Sequence, residues 1–449
     1  MNQTKSYGLD EINVNLDTIN VNFPLIITPR WDCSLDFLTN FMEKNRSWVQ
    51  QMITSYGAVL VRGFDIDTCP DFEKAVLSLQ PVLDDIYRGT SPRGCMPNTK
   101  FTFSAAEVPT NYPIAQHCEM SFLPAVPRQL FFGCMKPSES AGGETALCDF
   151  RVVYNEMNPK LREKLLTKKI KYVRTHSIVG EKYTHDVAAM LGWPEMFGTS
   201  SKDEVERLVK EENGSPVQWV GPNKDTFRQE WVDEPFQLHP TSNEPVWFNH
   251  IQTFHWTTFA AELWFSFCRI KDIRLLIKCI IVIINSVIKY AILGYQMNLH
   301  VCFGDGEPIS FWEMREIRRA VHRNTVLYRW QKGDICCIDN FSTSHGRQPT
   351  YDKGRKVVVA WAETLVKRNA LTSATADIQA ATQDQFKITG YDTVVKNSQE
   401  VQTAETTLTS DDAQDLKDAF NEQQFGENLQ DAFKRTDLQA LYTEIFKKE

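Results

Sequence analysis

The amino-acid sequence predicts a mostly β fold with flanking helices. Short runs of β-branched and aromatic residues recur between Gly, Pro and Asp turns, which is typical of buried strands; the runs at 58–64 and 129–135 are examples. Longer segments, such as 35–55 and 313–322, carry apolar residues at helical spacing. Hydrophobic residues make up 42% of the chain and charged residues 24%, so the chain can bury a core of globular kind.

Taken in order, the chain starts with a polar lead-in at 1–22 and then mixes helices and strands. Helices are predicted at 35–55, 72–79, 154–166 and 313–322, with a break at Asn158-Pro159 in the third and an N-cap at Ser310 before the fourth. Strands are predicted at 58–64, 129–135, 169–173, 245–249, 333–338 and 355–361, and one more begins at Thr145 after a Gly-Gly turn. The polar region 176–240 shows no clear period.

Net charge and cysteine usage narrow the class of protein. The 57 acidic residues outnumber the 49 basic ones, and the net charge of −8 argues against nucleic acid as the main partner. The first residues carry no apolar core, so we expect no signal peptide. Eleven cysteines occur without a Cys-x-x-Cys pair, which indicates reduced thiols in a cytoplasmic protein.

An apolar helical insert is predicted at about 257–296, with its most hydrophobic part at 270–295. Lys278 and Lys289 argue against a membrane-spanning helix, because a lysine near mid-bilayer costs about 2.5–3.5 kcal/mol. The basic residues share one stripe of the helix, as expected for a helix lying in a membrane interface. The pattern fits equally well a substrate lid, a contact with a second copy of the chain, or a segment retained from an unspliced transcript.

The C-terminal part changes in character. Residues 366–409 are rich in Ala, Thr, Gln and Asp with few large apolar residues, which predicts a linker. Residues 410–449 return to helical spacing and form a predicted acidic helical appendage.

Three residues carry the chemistry. His117 and Glu119 lie two apart on a predicted extended segment, so their side chains point to the same side of the chain. A second imidazole, which we assign to His345, would complete a set of two His and one carboxylate on one face of a metal. This set is typical of non-haem iron(II) oxygenases, because dioxygen and a co-substrate both need open positions on the metal. The spacing alone also occurs by chance, so further residues are needed.

Two such residues are Arg355 and Thr145. Arg355 follows His345 by ten residues and lies on the next predicted strand. An arginine guanidinium can bind the carboxylate of a co-substrate through two parallel hydrogen bonds. Thr145 follows Gly142-Gly143 and can add a hydroxyl. Together with His345-Gly-Arg347-x-Pro349, these motifs resemble the taurine dioxygenase (TauD/TfdA) family of iron(II)/2-oxoglutarate oxygenases over about residues 23–365. The stretches ending at Arg93 and Gly306 resemble its clavaminate synthase-like and SyrP-like branch.

The resemblance implies a double-stranded β-helix, or jelly roll, with the metal at its mouth. It implies that His117, Glu119 and His345 bind Fe(II), and that Arg355 and Thr145 bind the distal carboxylate of the co-substrate 2-oxoglutarate. Reaction with O2 then releases succinate and CO2 and hydroxylates the substrate. The family often has a second Arg where this chain has Val359, which leaves Arg347 as the candidate for the proximal carboxylate. The carboxylate of Glu119 favours hydroxylation over halogenation, because related halogenases leave that metal position to chloride.

The substrate is predicted to be a small amino-acid-like or carboxylate-bearing molecule, with Arg88, Arg93 and Asn249 as candidate contacts. Structural ion pairs explain the two arginines equally well. Two alternatives stay open: a membrane-associated oxygenase that takes an apolar substrate from lipid, and a non-catalytic metal-binding scaffold.

Overall fold

The described residues are 7–16, 23–85, 87, 93–105, 108–179, 191–213, 215–367 and 370–371 of the computed structural model. Arg88, nearly all of the predicted linker at 366–409 and the predicted appendage at 410–449 lie outside them. The chain divides into one unit of residues 1–262 and 282–371 and a second unit that includes residues 263–281. The metal and substrate residues discussed below belong to the first unit.

The strands in chain order are β1 Ile12–Leu16, β2 Leu25–Pro29, β3 Ala58–Val61, β4 Phe103–Ser104, β5 Ile114–His117, β6 Ala125–Lys136, β7 Thr145–Asp149, β8 Ile170–His176, β9 Val217–Val220, β10 Thr226–Asp233, β11 Phe236–Leu238, β12 Pro245–Trp247, β13 Leu299–Phe303, β14 Thr325–Tyr328, β15 Ile335–Asp339, β16 Thr343–Arg347 and β17 Lys356–Val366. The helices are α1 Leu35–Lys44, α2 Arg46–Tyr56, α3 Cys69–Leu79, α4 Phe150–Glu156, α5 Pro159–Lys168, α6 Trp193–Phe197, α7 Lys202–Asn213, α8 Ile251–Phe254, α9 Thr258–Ile270, α10 Ile273–Ser286 and α11 Phe311–Arg323.

Two sheets form the centre of the fold in the described part of the chain. The larger has the strand order β1-β2-β3-β15-β6-β17-β4, and the smaller has the order β14-β7-β16-β5. Leu147 and Tyr328 of the smaller sheet share one buried cluster with Leu60, Leu130 and Trp361 of the larger sheet, so the two sheets pack face to face. This arrangement is the predicted jelly roll.

Helices cover the other face of the larger sheet. Because side chains alternate along a strand, Val59 of β3 points toward the helices while Leu60 points between the sheets. Phe72 of α3 lies so close to β6 that a Cβ at Gly133 would come 2.4 Å from its ring. Both faces of the larger sheet are therefore buried, as its nearly continuous apolar strands indicate.

Several elements differ from the sequence predictions. The helix predicted at 35–55 is two helices, because Asn45 lies between them and its side chain donates to the carbonyls of Tyr7 and Phe41. The break at Asn158-Pro159 and the Ser310 cap are confirmed, the latter as a capping box with Glu313. The region 176–240 contains α6, α7 and β9–β11, and the predicted lead-in contains β1, which pairs with β2.

The predicted insert is helical, as α9, α10 and a π-helical turn at Val287–Ile292. By length and composition alone, Ile273–Ile292 is long and apolar enough to cross a membrane, which is weak evidence. From residue 280 onward this segment exposes a series of large apolar side chains: Ile280, Ile283, Ile284, Val287, Ile288, Ile292 and Leu293. Membrane contact stays a prediction.

Candidate metal centre

The smaller sheet brings the three predicted metal ligands together. β16 pairs with β5, and in that register His345 lies directly opposite His117. Glu119 follows two residues after His117, just beyond the end of β5. One ligand atom from each of the three side chains lies within 4.8 Å of the others. His345 lies in the middle of β16, a strand that is not among those predicted from the sequence.

The donor set fits a divalent metal. Nε2 of His345 lies 3.5 Å from Oε2 of Glu119, and Nε2 of His117 lies 3.9 Å from the same oxygen. Nδ1 of His117 lies 2.9 Å from the Ala115 carbonyl, which turns Nε2 toward the carboxylate. Burial, followed by the charge of His345, lowers the pKa of His117 to about 4, so this imidazole is neutral at physiological pH, as a metal ligand must be. Two imidazoles and a carboxylate suit ferrous iron.

Glu119 is held as an anion by residues from an upstream loop. Tyr87 donates its hydroxyl to Oε1 at 2.9 Å, and Nη2 of Arg93 donates to Oε2 at 2.9 Å. Burial raises the pKa of Glu119, but the charge of Arg93 and the contacts with both imidazoles outweigh burial and bring this pKa well below its usual value. Arg93 also donates to the Ala105 carbonyl and lies over the Tyr87 ring. Arg93, predicted as a substrate contact, is thus engaged with Glu119.

Asn340 fixes the backbone of Glu119. Its Oδ1 accepts from the Glu119 amide at 2.6 Å, and its Nδ2 donates to the Glu119 carbonyl at 3.0 Å and the Pro127 carbonyl at 2.7 Å. Met120, the next residue, has a φ of 56°, so the chain turns sharply after Glu119 through a conformation that few residues adopt. The amide of Asn340 therefore holds a turn that aims the carboxylate at the two imidazoles.

The candidate 2-oxoglutarate residues lie beside this centre. Thr145 and Arg355 both line the same cavity as the three ligands. Nε of Arg355 donates to the Gly143 carbonyl at 2.7 Å, and Oγ1 of Thr145 accepts from the Trp330 indole at 2.9 Å. Gly143 has a φ of 79°, and a Cβ there would come 3.1 Å from Cδ of Arg355, so the glycine lets the guanidinium approach. Arg355 was predicted to lie on the strand that follows His345, but it immediately precedes that strand, β17.

Arg347, the other predicted co-substrate contact, holds a loop. Its Nη2 donates to the carbonyls of Val108, Pro109 and Tyr112 at 3.0, 2.7 and 3.0 Å. The side chain also lines the cavity.

The cavity has a volume of about 430 Å³, in the range of small-molecule sites. The rest of the wall is largely aromatic and apolar: Phe254, Phe259 and Tyr290 come from helical segments, and Phe122, Met297 and Leu299 come from loops or from the start of β13. His250 also lines it, with its ring centroid 5.6 Å from that of His117 and its Nδ1 2.6 Å from the Ser121 hydroxyl. Burial keeps the pKa of His250 well below its usual value, so this imidazole is neutral.

Asn249, the third predicted substrate contact, is not among the cavity-lining residues in the described part of the chain. Its Nδ2 donates to the Pro235 carbonyl at 2.8 Å and its Oδ1 accepts from the Ile251 amide at 2.9 Å. Both ends of the amide are therefore bonded to backbone, and the side chain stabilises the turn into α8. Asn249 is therefore not part of the proposed substrate site.

Sequence reasoning missed Tyr87, His250 and Glu262, all of which line the cavity. Each is a single polar residue without a motif around it. A weak signal was available for His250 alone, because it directly follows the Trp247-Phe248-Asn249 run that the sequence analysis considered.

Comparison with known proteins shows the family of the chain. The model of the taurine catabolism dioxygenase TauD, TfdA family matches residues 27–361. The dapdiamide synthesis protein DdaC of Enterobacter agglomerans is 26% identical over 314 residues, which are 70% of this chain and 84% of that protein. A clavaminate synthase-like protein of Arabidopsis thaliana is 26% identical over 352 residues, which are 75% of this chain and 93% of that protein.

Among solved structures, PvcB, an Fe, alpha-ketoglutarate dependent oxygenase from an isonitrile synthetic pathway, aligns with a TM-score of 0.43 and 13% identity, covering 82% of this chain and 98% of that chain. A taurine dioxygenase from Burkholderia xenovorans aligns with a TM-score of 0.41 and 12% identity, covering 81% and 94%. The family match spans most of the chain and includes all three ligand positions. The chain belongs to the TauD/TfdA family and is an iron(II)- and 2-oxoglutarate-dependent dioxygenase.

Proposed function

We propose that this dioxygenase hydroxylates a small amino-acid-like or carboxylate-bearing molecule at a metal held by His117, Glu119 and His345. The observation that carries the proposal is the convergence of two imidazoles and one carboxylate at the wall of one largely apolar cavity. Three protein ligands leave open positions on an octahedral metal, as the reaction of dioxygen with a co-substrate requires.

Arg355 and Thr145 bind and orient the distal carboxylate of 2-oxoglutarate. The guanidinium supplies the charge and the hydroxyl adds directionality, while the hydrogen bond to Gly143 fixes the orientation of Arg355. Arg347 is the remaining candidate for the proximal carboxylate. When iron(II), 2-oxoglutarate and dioxygen are bound, the centre supplies an oxidant for a substrate C–H bond, with release of succinate and CO2. The largely apolar cavity wall holds the substrate carbon in place.

The ionised Glu119 favours hydroxylation. Arg93 and Tyr87 keep the carboxylate charged and oriented toward the imidazoles, so it would hold a position on the metal that a chloride would otherwise need. The eleven cysteines are all free thiols, which supports a reducing compartment such as the cytoplasm.

The test is formation of succinate from 2-oxoglutarate with Fe(II), ascorbate and O2, followed by a search for metabolites that gain one oxygen atom. We expect His345→Ala to abolish both succinate formation and metal binding. His300→Ala is the matched control, because His300 lies outside the ligand cluster in the described part of the chain. A non-catalytic scaffold would form no succinate in the wild type, and that result would reject the proposal.

A second candidate, an oxygenase that works at a membrane surface, is supported by the exposed apolar side chains at 280–293. The chain that follows them contributes Met297 and Leu299 to the cavity wall, so the exposed segment adjoins the substrate site. We expect the wild type to float with anionic liposomes and Ile284→Glu/Ile288→Glu to stay in the dense fraction. A wild type that does not float removes this candidate and leaves the first one intact.

A further inference from the structure

One wall of the cavity is formed by the helices α8 and α9 and by residues 287–299; we call it the helical wall, and its charge is negative. In the described part of the chain, the basic lining residues Arg93, Arg347, Arg355 and Lys356 all come from strands or from loops next to them. Among the described residues, Glu262 is the charged side chain that the helical wall contributes to the cavity. The helical wall is thus aromatic, apolar and anionic.

Glu262 is a buried carboxylate that is fixed from behind. It is 8% exposed, and its Oε1 accepts from Nε2 of His322 on α11 at 2.9 Å. Within the described residues its Oε2 accepts no hydrogen bond, although Glu262 lines the cavity. Burial raises the pKa of Glu262, but the charge and hydrogen bond of His322 and the charge of Arg318 lower it below its usual value. The side chain is therefore an anion before any substrate arrives.

Other residues of the same cavity also suit a cation. Phe254, Phe259 and Tyr290 line the same cavity, and aromatic faces attract ammonium groups. Thr258, one helical turn before Glu262, has its hydroxyl bonded to the Gln252 carbonyl and to Arg318. Arg318 is itself buried, and its positive charge adds to the contact with His322 that keeps Glu262 ionised in the interior.

We propose that Glu262 is the substrate-specificity residue of this enzyme and binds a protonated amine at the helical wall of the cavity. This inference rests on the proposed function. The substrate is then a small molecule with an alkylammonium group at one end and an apolar body. The carbon at its other end is presented to His117, Glu119 and His345. A hydrogen bond to a charged group should give about a 10- to 100-fold gain in affinity over an isosteric neutral group.

The test uses simple probes on the full chain loaded with Mn(II) and 2-oxoglutarate. Isothermal titration calorimetry measures the affinities of hexylammonium, 1-hexanol and hexanoate. We expect the wild type to bind hexylammonium about 10- to 100-fold more tightly than 1-hexanol, and hexanoate least tightly. This comparison needs no variant, and equal affinities for the amine and the alcohol in the wild type would overturn the inference.

Glu262→Gln keeps the shape of the side chain and removes its charge, so we expect it to bind hexylammonium and 1-hexanol equally. Glu262→Asp should retain part of the preference. Glu313→Gln is the matched control, because Glu313 also lies on a helix and pairs with a cation, Lys164, but does not line the cavity in the described part of the chain. A preference that survives in Glu262→Gln would show that the carboxylate is structural only. Wild-type succinate formation is measured in parallel: its absence rejects the proposed function, whereas its presence without an amine preference rejects this inference alone.

Discussion

Removing the Asn340 side chain should weaken metal binding without touching a metal ligand. Asn340→Ala deletes three hydrogen bonds, two to the backbone of Glu119 and one to the Pro127 carbonyl. Each buried backbone group left without a partner costs about 1–3 kcal/mol, and water that enters the space recovers part of this, so we expect a loss of about 3–5 kcal/mol in the free energy of unfolding. Because the turn at Glu119 and Met120 is then less constrained, we expect the dissociation constant for Mn(II) to rise about 10- to 100-fold.

Asn249→Ala is the control for this experiment. Asn249 is as deeply buried as Asn340 and also bonds to backbone, through two hydrogen bonds, but it is far along the chain from Glu119 and bonds to none of the ligands. The variant Asn249→Ala should lose about 2–4 kcal/mol in the free energy of unfolding and keep its affinity for Mn(II). The assays are urea unfolding of the metal-free proteins and calorimetric titration with Mn(II). The reasoning is refuted if Asn340→Ala binds Mn(II) within about twofold of the wild type, or if Asn249→Ala weakens binding equally.

Arg355→Met should weaken binding of 2-oxoglutarate to the Mn(II)-loaded protein by about 10- to 100-fold, as for loss of a charge-assisted hydrogen bond. The nearby Lys353→Met changes the same net charge, and Lys353 does not line the cavity in the described part of the chain, so it should have little effect by the same calorimetric assay. Similar losses in both would contradict the assignment. Stability should fall in mild acid, because burial and then the charge of Arg318 lower the pKa of His255 from 6.5 to about 4 in the folded protein. The unfolded chain binds more protons between these values, so the free energy of unfolding decreases as pH falls through this window, by up to about 1.4 kcal/mol per pH unit for this residue. Urea unfolding from pH 4 to 6.5 should show a shallower dependence for His255→Gln, and an unchanged slope would exclude the mechanism.

The parts of the site that could be predicted from sequence are those with local signals. His117 and Glu119 are two apart on an extended segment, and Thr145 follows two glycines whose positive φ angles, 84° and 79°, require that residue type. The strands of the larger sheet are apolar on both faces, so their composition alone indicates burial. In each case the physical cause lies within a few residues of the chain.

The parts that could not be predicted depend on contacts between distant segments. Glu262 gains its role from His322, sixty residues away, and Glu119 is held by Asn340, 221 residues away. β16 was missed as a strand around His345 because its sequence, Thr-Ser-His-Gly-Arg, lacks apolar alternation. It is buried all the same, since it lies between β7 and β5 and its polar groups find partners inside the fold, such as the bond from Ser344 to the Gln116 side chain at 2.8 Å.

The geometry of the metal centre is therefore a property of strand register. Shifting β16 by one residue against β5 would turn His345 to the opposite face of the smaller sheet, away from His117. Two neighbours of His345 oppose such a shift: Ser344 bonds to Gln116, and a Cβ at Gly346 would come 2.7 Å from the Ile114 carbonyl, so only glycine allows β5 to approach this closely. The residues that flank His345 thus fix the alignment of two strands. That alignment brings His117 and His345, 228 residues apart, so close that their candidate ligand atoms and that of Glu119 lie within 4.8 Å of one another.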